Sequence, residues 1–247
     1  MTKYVFIGGS GHSGTSLLLN ILGAHSRIYS IPKETYVFRR DLTDEQIRGE
    51  LDDLARERDK QDVDYICEKS PSHIRKCHEI FRLFPDSKFV AIKREPRDVV
   101  ASFKRRGAPI GAGIKNWNTA YRCLLKWQKI GYPILSIRFE KLIEDPASTL
   151  SAVCAHLGLQ YEVGMLDYWQ RRRERLGVTD VPRPESPAGK NHRPYRNWQM
   201  CQPLLQDRVG NFASLTDTEL ARVRKELLRT ATNMGYQLPP VTEESPL

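Results

Sequence analysis

The feature that most constrains the fold of this chain is its first segment: an apolar run, a glycine-rich loop and a second apolar run. Residues 3–8 (KYVFIG) are typical of a buried strand, residues 9–16 (GSGHSGTS) form the loop, and residues 17–22 (LLLNIL) continue as a helix. Glycines let a backbone approach an anion closely, and the amides at the N-terminus of the helix point at that anion. The segment therefore predicts a cradle for a phosphate-like group.

The loop departs from the common nucleoside-triphosphate motif at one position. In the Walker A sequence G-x-x-x-x-G-K-[ST] a lysine follows the last glycine, whereas here Thr15 follows Gly14. In addition, no predicted strand is an apolar run that ends in an acidic metal ligand. The shape of the loop alone would also fit a P-loop kinase or NTPase, but both observations argue against that function.

Strands and helices alternate along most of the chain. Further strands are predicted at 27–31, 64–69, 87–94 and 133–139. Helices are predicted at 14–25, 44–59, 72–84 (capped by Ser70 or Ser72), 97–106, 114–130, 146–157 and 215–233. This order indicates an α/β, three-layer fold of the P-loop type, with a central, mainly parallel five-stranded sheet flanked by helices. We expect residues 1–247 to form a single domain.

The charge of the chain favours an anionic ligand or partner. Lys and Arg number 39 against 30 Asp and Glu, and the formal net charge is +9. Charge alone does not distinguish a nucleotide from nucleic acid, a membrane surface or a polysaccharide. The five cysteines form no C-x-x-C pair, which favours reduced thiols, and no apolar run approaches the roughly 20 residues of a membrane span. The last two observations lead us to expect a cytoplasmic protein that does not bind a membrane. Nucleic acid is not expected as a partner either, because a charged surface alone does not explain the glycine-rich cradle.

A second candidate for anion binding follows the fourth predicted strand. Arg94 stands at the carboxyl end of this strand, where ligands bind in open α/β sheets. Ser102 lies on the next helix, at a spacing that lets both side chains point to one place above the sheet edge. An arginine and a hydroxyl there suit a second phosphate. The alternative is an ordinary turn with Ser102 in solvent, which is at least as good an interpretation when this segment is taken alone.

Taken together, these segments resemble the family of sulfotransferases that use 3′-phosphoadenosine 5′-phosphosulfate (PAPS). Residues 12–18 (HSGTSLL) are similar to the family's 5′-phosphosulfate loop, and residues 94–102 (REPRDVVAS) to its 3′-phosphate motif. Shorter similar segments lie at 33–35 (KET), 68–71 (EKSP) and 138–146 (RFEKLIEDP). In these segments the chain is most similar to the tyrosyl-protein, heparan and bacterial branches of the family. The resemblance covers about residues 3–160, and it implies that residues 1–160 form the PAPS-binding α/β core.

The resemblance implies a set of donor-binding and catalytic residues. The 5′-phosphosulfate would be held by Gly11, His12, Ser13, Gly14, Thr15 and Ser16, and the 3′-phosphate by Arg94 and Ser102. Glu34 matches the general base of the family; its alternative role is to satisfy amides at a helix N-terminus. The product would be adenosine 3′,5′-bisphosphate (PAP). No divalent metal is expected, because a sulfuryl group carries less charge than a terminal phosphate.

His12 is the main departure from the family pattern. Family members usually have Lys or Arg there, and that cation stabilises the oxygen that leaves with PAP. Histidine can do so only when it is protonated. His12 could donate a proton to the leaving group, or Lys69 or Lys33 could supply the cation, and the sequence leaves this choice open.

The C-terminal third has a different composition. Residues 178–196 are rich in Pro, Gly, Arg and Lys, and such a long loop is usually a functional lid or disordered. The best candidates for a basic loop that closes over the 3′-phosphate are Lys190, Asn191, His192, Arg193 and Arg196, although a solvated charged loop is an equal alternative. We expect residues 161–237 to close the site and residues 238–247 to form a tail. In this region Tyr195, Trp198 and Trp169 are candidates to stack on adenine or to line an acceptor pocket, whereas Trp117 and Trp127 are expected to pack in the core.

The acceptor is the least constrained part of the prediction. A small molecule with a hydroxyl or amine is favoured, because the chain is compact and leaves little room for a long polysaccharide groove. A tyrosyl peptide or a saccharide is the alternative within the enzyme class. A non-enzymatic module that binds polyanions is the alternative outside it. The sequence does not indicate an oligomeric state.

Overall fold

A single five-stranded sheet forms the centre of the molecule. The computed structural model describes residues 3–57, 62–184 and 193–240. The strands are β1 (Lys3–Gly9), β2 (Ile28–Ser30), β3 (Tyr65–Lys69), β4 (Lys88–Lys93) and β5 (Ile134–Arg138). All of them run parallel, in the order β2-β3-β1-β4-β5. The predicted five-stranded parallel sheet of an α/β fold is thus confirmed.

Helices cover both faces of this sheet because its strands are apolar on both sides. In β1, Val5 and Ile7 point to one face and Phe6 to the other, and all three are fully buried. The helices are α1 (Thr15–Gly23), α2 (Asp44–Arg56), α3 (Cys77–Leu83), α4 (Pro96–Arg105), α5 (Ile110–Ile130), α6 (Phe139–Glu144), α7 (Pro146–Leu157), α8 (Tyr168–Leu176), α9 (Arg193–Met200) and α10 (Asp217–Asn233). Helices α1, α6, α7 and α8 pack against the Val5 face, and α2, α3, α4, α5 and α10 against the Phe6 face. None of the helices in the described residues is long and apolar enough to cross a membrane.

The order of the strands places a crevice at the carboxyl end of β1. From β1 the chain moves outward to β2 and returns through β3, and it then crosses to β4 on the other side of β1. Ligands of open parallel sheets bind at such a point, because the loops after the two neighbouring strands diverge there. The loop after β1 and the loop after β4 therefore face each other.

The predicted helix at 72–84 is only partly correct. Pro71–Arg75 form a 3-10 helix, and α3 begins only at Cys77. The hydroxyl of Ser70 does not cap either segment, because its oxygen accepts a hydrogen bond from the amide of Tyr36 at 3.0 Å and its hydrogen is donated to the buried carboxylate of Glu68, 2.7 Å away. Other contacts thus occupy the hydroxyl that the sequence pattern assigned to a helix end.

The region expected to close the site is more helical than predicted. The predicted loop 178–196 contains the start of α9, and the mostly basic residues 170–175 lie within α8. The arginines of α8 are not simply solvated: Arg172 donates to the side chain of Asn197, and Arg173 to the carbonyl of Cys201 at 2.9 Å. Basic side chains of α8 therefore position α9 next to the sheet edge.

Candidate active site

A cleft opens at the carboxyl edge of the sheet. Its volume is about 480 Å³, and its walls come from the loop after β1, from α4, and from the chain between α9 and residue 211. Eight residues expected at the site line it: Gly11, His12, Gly14, Thr15, Ser16, Glu34, Arg94 and Ser102. The fold thus brings together motifs that are far apart in the sequence.

Gly14 gives the phosphate loop its shape. It is the N-cap of α1 and has a φ of 99°, a conformation that favours glycine. A Cβ atom at this position would lie 2.5 Å from Cδ2 of Phe139, so the loop and the start of α6 are in close contact. The first amides of α1 have no partner within the helix, which leaves them available for an anion.

Ser13 and Asn116 stiffen the same loop. Ser13 is fully buried, and its hydroxyl donates to the carbonyl of Ser10 at 2.7 Å, so it stabilises the turn from within. The side chain of Asn116, in the middle of α5, accepts hydrogen bonds from the Gly11 amide at 2.9 Å and from the Ser10 hydroxyl at 3.0 Å. No sequence pattern marked Asn116, since one asparagine on a long helix has no spacing that distinguishes it.

His12 links the two predicted phosphate motifs. Its Nδ1 lies 2.9 Å from the hydroxyl of Ser102, and its ring packs against Phe103 with 4.3 Å between centroids. Its carbonyl accepts a hydrogen bond from Arg94 at 3.2 Å, and its φ of 64° is unusual for a residue other than glycine. The loop after β1 and the first turns of α4 therefore form one structural unit.

Arg94 is almost completely buried at the end of β4. Its guanidinium donates to the carbonyl of Arg208, lies 3.4 Å from the carboxylate of Asp98, and stacks 4.3 Å above the ring of Phe139. Its Nε is buried and has no hydrogen-bond partner within the described residues. Burial raises the pKa of Asp98, while the charge of Arg94 opposes this shift. Arg94 is thus held in a fixed position beside the cleft.

Besides Arg94, five arginines among the described residues line the cleft, and only Arg196 of these was a candidate from the sequence. They are Arg105, Arg106, Arg183, Arg196 and Arg208, against two acidic side chains, Glu34 and Asp207. Burial lowers the pKa of Arg106 to about 10, and the nearby charge of Arg196 adds to this effect. This donor set fits a ligand with several negative charges. Arg208 was not predicted, because its neighbouring residues form no recognisable motif.

The residues predicted to close over the 3′-phosphate are only partly described. Lys190 lies outside the described residues, and of Arg193 only the backbone is described, at the first position of α9. One turn later, Arg196 reaches the cleft and lies 3.5 Å from the carboxylate of Glu34. Asn191 and His192 also lie outside the described residues. The predictions for Lys190 and Arg193 therefore stay predictions, whereas Arg196, a candidate from the same basic loop, lies at the cleft.

Glu34 stands at the opposite side of the cleft with three partners. It forms an ion pair with the ammonium group of Lys69, whose side chain is only 4% exposed. Arg196 lies at 3.5 Å, and the hydroxyl of Tyr36 also contacts this carboxylate. Burial lowers the pKa of Lys69, although the charge of Glu34 opposes this shift. The two residues predicted as a base and a cation are thus in direct contact.

A buried hydrogen-bond network supports the loop that carries Glu34. The carboxylate of Glu68 is fully buried and accepts from the amide of Thr35 at 3.3 Å and from its hydroxyl at 2.9 Å. It also accepts from Ser70 at 2.7 Å and lies 2.9 Å from Nδ1 of His73. Burial opposes ionisation of Glu68, but His73 and these donors outweigh it and hold its pKa below the usual range. The end of β3 therefore fixes the loop from its buried side.

The aromatic residues divide as expected between the core and the cleft. Trp117 and Trp127 are buried, and their indole N–H groups each donate to a backbone carbonyl at 2.8 Å. Tyr195 lines the cleft and packs against Trp198 at 5.4 Å. The ring of Trp169 lies under the guanidinium of Arg173. Of the predicted stacking residues, Tyr195 is the one that the structure places directly in the cleft wall.

The chain is similar in sequence to known sulfotransferases. A family model described as the sulfotransferase family matches residues 39–163. Protein-tyrosine sulfotransferase 2 of Gallus gallus is 26% identical over 201 residues, which are 66% of this chain and 53% of that protein. Human protein-tyrosine sulfotransferase 1 is 30% identical over 149 residues, which are 51% of this chain and 40% of that protein. The chain thus spans about half the length, or less, of these two relatives.

Solved structures show the same fold over the whole chain. A sulfotransferase domain from the curacin biosynthetic pathway has a TM-score of 0.68 at 18% identity and covers 97% of this chain and 99% of that domain. A sulfotransferase domain from the olefin synthase of Synechococcus PCC 7002 has the same TM-score at 22% identity, with 96% of both chains covered. Mouse sulfotransferase SULT7A1, complexed with PAP, has a TM-score of 0.53 at 14% identity, over 94% of this chain and 84% of that one. At these identities the likeness shows the fold alone, whereas the family model covers half of the sequence: the chain belongs to the sulfotransferase family.

Proposed function

We propose that this protein transfers the sulfuryl group of PAPS to a hydroxyl group and releases PAP. The observation that carries the proposal is the 2.9 Å contact between Nδ1 of His12 and the hydroxyl of Ser102, because it joins both predicted phosphate motifs at one cleft. Two anion-binding elements that face the same space suit a nucleotide with phosphates at both its 3′ and 5′ positions. The excess of arginines over carboxylates in the cleft walls agrees with such a ligand.

The residues that would hold the donor follow from this arrangement. The first amides of α1, with the hydroxyls of Thr15 and Ser16, would bind the 5′-phosphosulfate. Arg94 and Arg208 would bind the 3′-phosphate, since both lie where α4 and the 206–211 segment meet. PAPS, when bound, supplies the sulfuryl group on a phosphate that can leave. Metal-independent transfer and a cytoplasmic location remain predictions from the sequence.

The chain's own residues would supply proton transfer and charge stabilisation. Glu34 would accept the proton of the acceptor hydroxyl, and Lys69 holds this carboxylate in place from the buried side. His12 would donate a hydrogen bond to the oxygen that leaves with PAP, through Nε2, since Nδ1 contacts Ser102. In-line transfer of this kind depends mainly on positioning and on preorganised charge, and both are present in this cleft.

For the acceptor, we propose the phenolic hydroxyl of a tyrosyl side chain in a peptide. Support comes from the curated relatives, which are protein-tyrosine sulfotransferases, and it shifts the preference away from the small molecule expected from the sequence. A phenol is also a suitable acceptor chemically, because its pKa of about 10 is well below that of an alkyl hydroxyl, so a carboxylate can help to remove its proton.

Calorimetric titration with PAP in metal-free buffer tests donor binding. We expect the wild-type protein to bind PAP, and Arg94→Ala to weaken binding by about 1.5–3 kcal/mol, the range for a hydrogen bond to a charged group. Ser102→Ala is a milder second variant in case loss of the buried arginine prevents folding. Arg97→Ala is the matched control, because Arg97 belongs to the same motif but pairs with Glu95 and packs on Phe212.

The same titrations, repeated with other ligands, distinguish a sulfotransferase from an NTPase and from a polyanion-binding module. Binding of ATP with Mg²⁺ in place of PAP would favour an NTPase, and binding of an oligonucleotide that disappears with salt would favour a polyanion-binding module.

Transfer from labelled PAPS to a tyrosine-containing peptide, compared with 4-nitrophenol and a monosaccharide, tests the acceptor. Labelling of 4-nitrophenol or the sugar without labelling of the peptide would contradict the tyrosyl proposal.

A further inference from the structure

The backbone of Tyr36 has an unusual conformation beside the cleft. Its φ is 53°, in the left-handed region that side chains other than glycine rarely adopt. Among the described residues, His12 and Asp62 are the other non-glycine residues with positive φ, so two of the three lie at the cleft. A conformation of this kind costs free energy and persists only where the surrounding contacts enforce it, which is most common at functional sites.

Contacts on both sides of Tyr36 enforce this conformation. Its amide donates to the hydroxyl of Ser70 at 3.0 Å, and Ser70 in turn donates to the buried carboxylate of Glu68. Thr35, the preceding residue, is held by the same carboxylate through its amide and its hydroxyl. On the other side, Val37 is fully buried at the start of a 3-10 helix. The backbone is thus anchored before and after Tyr36, and the side chain is directed into the cleft.

The hydroxyl of Tyr36 lies where an acceptor would have to be. It contacts the carboxylate of Glu34, and the Tyr36 ring lines the cleft, with about a third of the residue exposed. In the proposed function, Glu34 takes the proton from the acceptor hydroxyl. A hydroxyl of the protein itself therefore occupies the position of the atom that is to be sulfated.

We propose that Tyr36 is a specificity-determining residue that occupies the acceptor position until an acceptor displaces it. This inference rests on the proposed function of the same site. While the Tyr36 hydroxyl contacts Glu34, this carboxylate is not available to activate water. An acceptor has to bring enough binding energy of its own to move the Tyr36 side chain, which favours a large acceptor over water.

The reaction that Tyr36 suppresses is hydrolysis of the donor. In this reaction the oxygen of water forms a bond to sulfur, the bond between sulfur and the phosphate oxygen breaks, and sulfate and PAP are released. One proton of water goes to Glu34 and from there to solvent. No oxidant, reductant or further reactant is needed.

Tyr36→Phe removes the hydroxyl and keeps the ring, so it tests this role directly. With PAPS and no acceptor, we expect the variant to release PAP about tenfold faster than the wild type, because about 1.4 kcal/mol, at the low end for a hydrogen bond to a charged group, corresponds to tenfold. With a tyrosine-containing peptide, KM for the peptide should fall while kcat changes little. The increase in hydrolysis should disappear in the double variant Glu34→Gln with Tyr36→Phe.

Tyr4→Phe is the matched control, because the hydroxyl of Tyr4 also donates to a carboxylate, that of Asp52 at 2.7 Å, but away from the cleft. This control should release PAP at the wild-type rate. An unchanged rate and an unchanged KM in Tyr36→Phe would overturn the inference, as would a lower kcat with no change in KM. Mass spectrometry that finds a sulfated Tyr36 would also overturn it, since the residue would then be an acceptor itself.

Failure of the inference differs from failure of the proposed function. If wild-type protein binds PAP and labels the peptide while Tyr36→Phe behaves like the wild type, the role of Tyr36 is wrong and the function stands. If wild-type protein neither binds PAP nor releases it from PAPS, the proposed function is wrong, and the inference about Tyr36 fails with it.

Discussion

At the scale of single residues, His12 distinguishes this cleft from the pattern of its family. A lysine would keep its charge at any physiological pH, whereas a histidine changes its charge between about pH 5 and 8. The contact with Ser102 and the packing on Phe103 fix the ring of His12 in one orientation. The second motif therefore positions the residue that stands in the place of the usual cation.

Gly14→Ala tests how much the shape of the phosphate loop depends on one residue. The alanine would have a φ near 99° and its Cβ would lie 2.5 Å from Phe139. The left-handed backbone costs about 1–2 kcal/mol and overpacking about 1–3 kcal/mol. We expect a lower Tm and loss of PAP binding in calorimetry.

Gly131→Ala is the control for the backbone part of this cost. Gly131 has a φ of 89° at the end of α5, and a Cβ there would have no neighbour within 4 Å. It should lower the Tm less than Gly14→Ala does and leave PAP binding unchanged. Equal losses of stability in the two variants would mean that contact with Phe139 is unimportant.

At the scale of elements, α5 connects the core with the phosphate loop. Trp117 donates to the carbonyl of Arg94 at 2.8 Å, and Tyr121 to that of Ile92 at 3.1 Å, so this helix is fixed to the end of β4. From the same helix, Asn116 accepts from Gly11 and Ser10. One buried helix thus aligns the ends of the two strands that carry the anion sites.

Asn116→Ala should weaken PAP binding by about tenfold, because loss of two hydrogen bonds of roughly 0.5–1.5 kcal/mol each lets the loop move. Calorimetry measures the affinity, and the loss of the two hydrogen bonds should also lower the Tm. Asn118→Ala is the control on the same helix, since Asn118 accepts from Thr230 of α10 instead. Equal affinity in the two variants would contradict a positioning role for Asn116.

Helices and strands that are marked by a pattern in their own residues could be predicted, whereas those that depend on contacts with other segments could not. β1 and β4 are continuous apolar runs, so their positions and burial followed from the sequence. The interpretation of 72–84 as one helix was wrong at its start, because the Ser70 hydroxyl is engaged by the amide of Tyr36, which is 34 residues away in the sequence, as well as by the buried Glu68. α9 was missed because its residues are polar and charged, and it is positioned by the arginines of α8.

At the scale of the whole molecule, the sheet order explains which site residues could be predicted. His12, Arg94 and Glu34 follow strands, and the carboxyl ends of parallel strands meet at one edge, so their convergence could be inferred. Arg196 and Arg208 come from a region without strands and reach the cleft through packing of the last third of the chain. No spacing rule connects them to the core: Arg196 could be proposed only as part of a basic loop, and nothing distinguished Arg208 among the 39 lysines and arginines.

The buried carboxylate of Glu68 should make the stability of the whole molecule depend on pH. Its pKa is held below the ordinary value of 4.5, so its contribution to folding is present above about pH 4.5 and is lost as the pH falls through the folded-state pKa. At pH 7, Glu68→Gln should destabilise the protein by about 3–5 kcal/mol, the cost of breaking a buried pair. Thermal unfolding between pH 3 and 7 should show the two Tm curves converging as the pH falls.

Asp44→Asn, which breaks an exposed pair with Arg82, should follow the wild-type curve. A constant Tm difference between Glu68→Gln and the wild type across this range would contradict the prediction, because it would mean that Glu68 titrates alike in the folded and unfolded states.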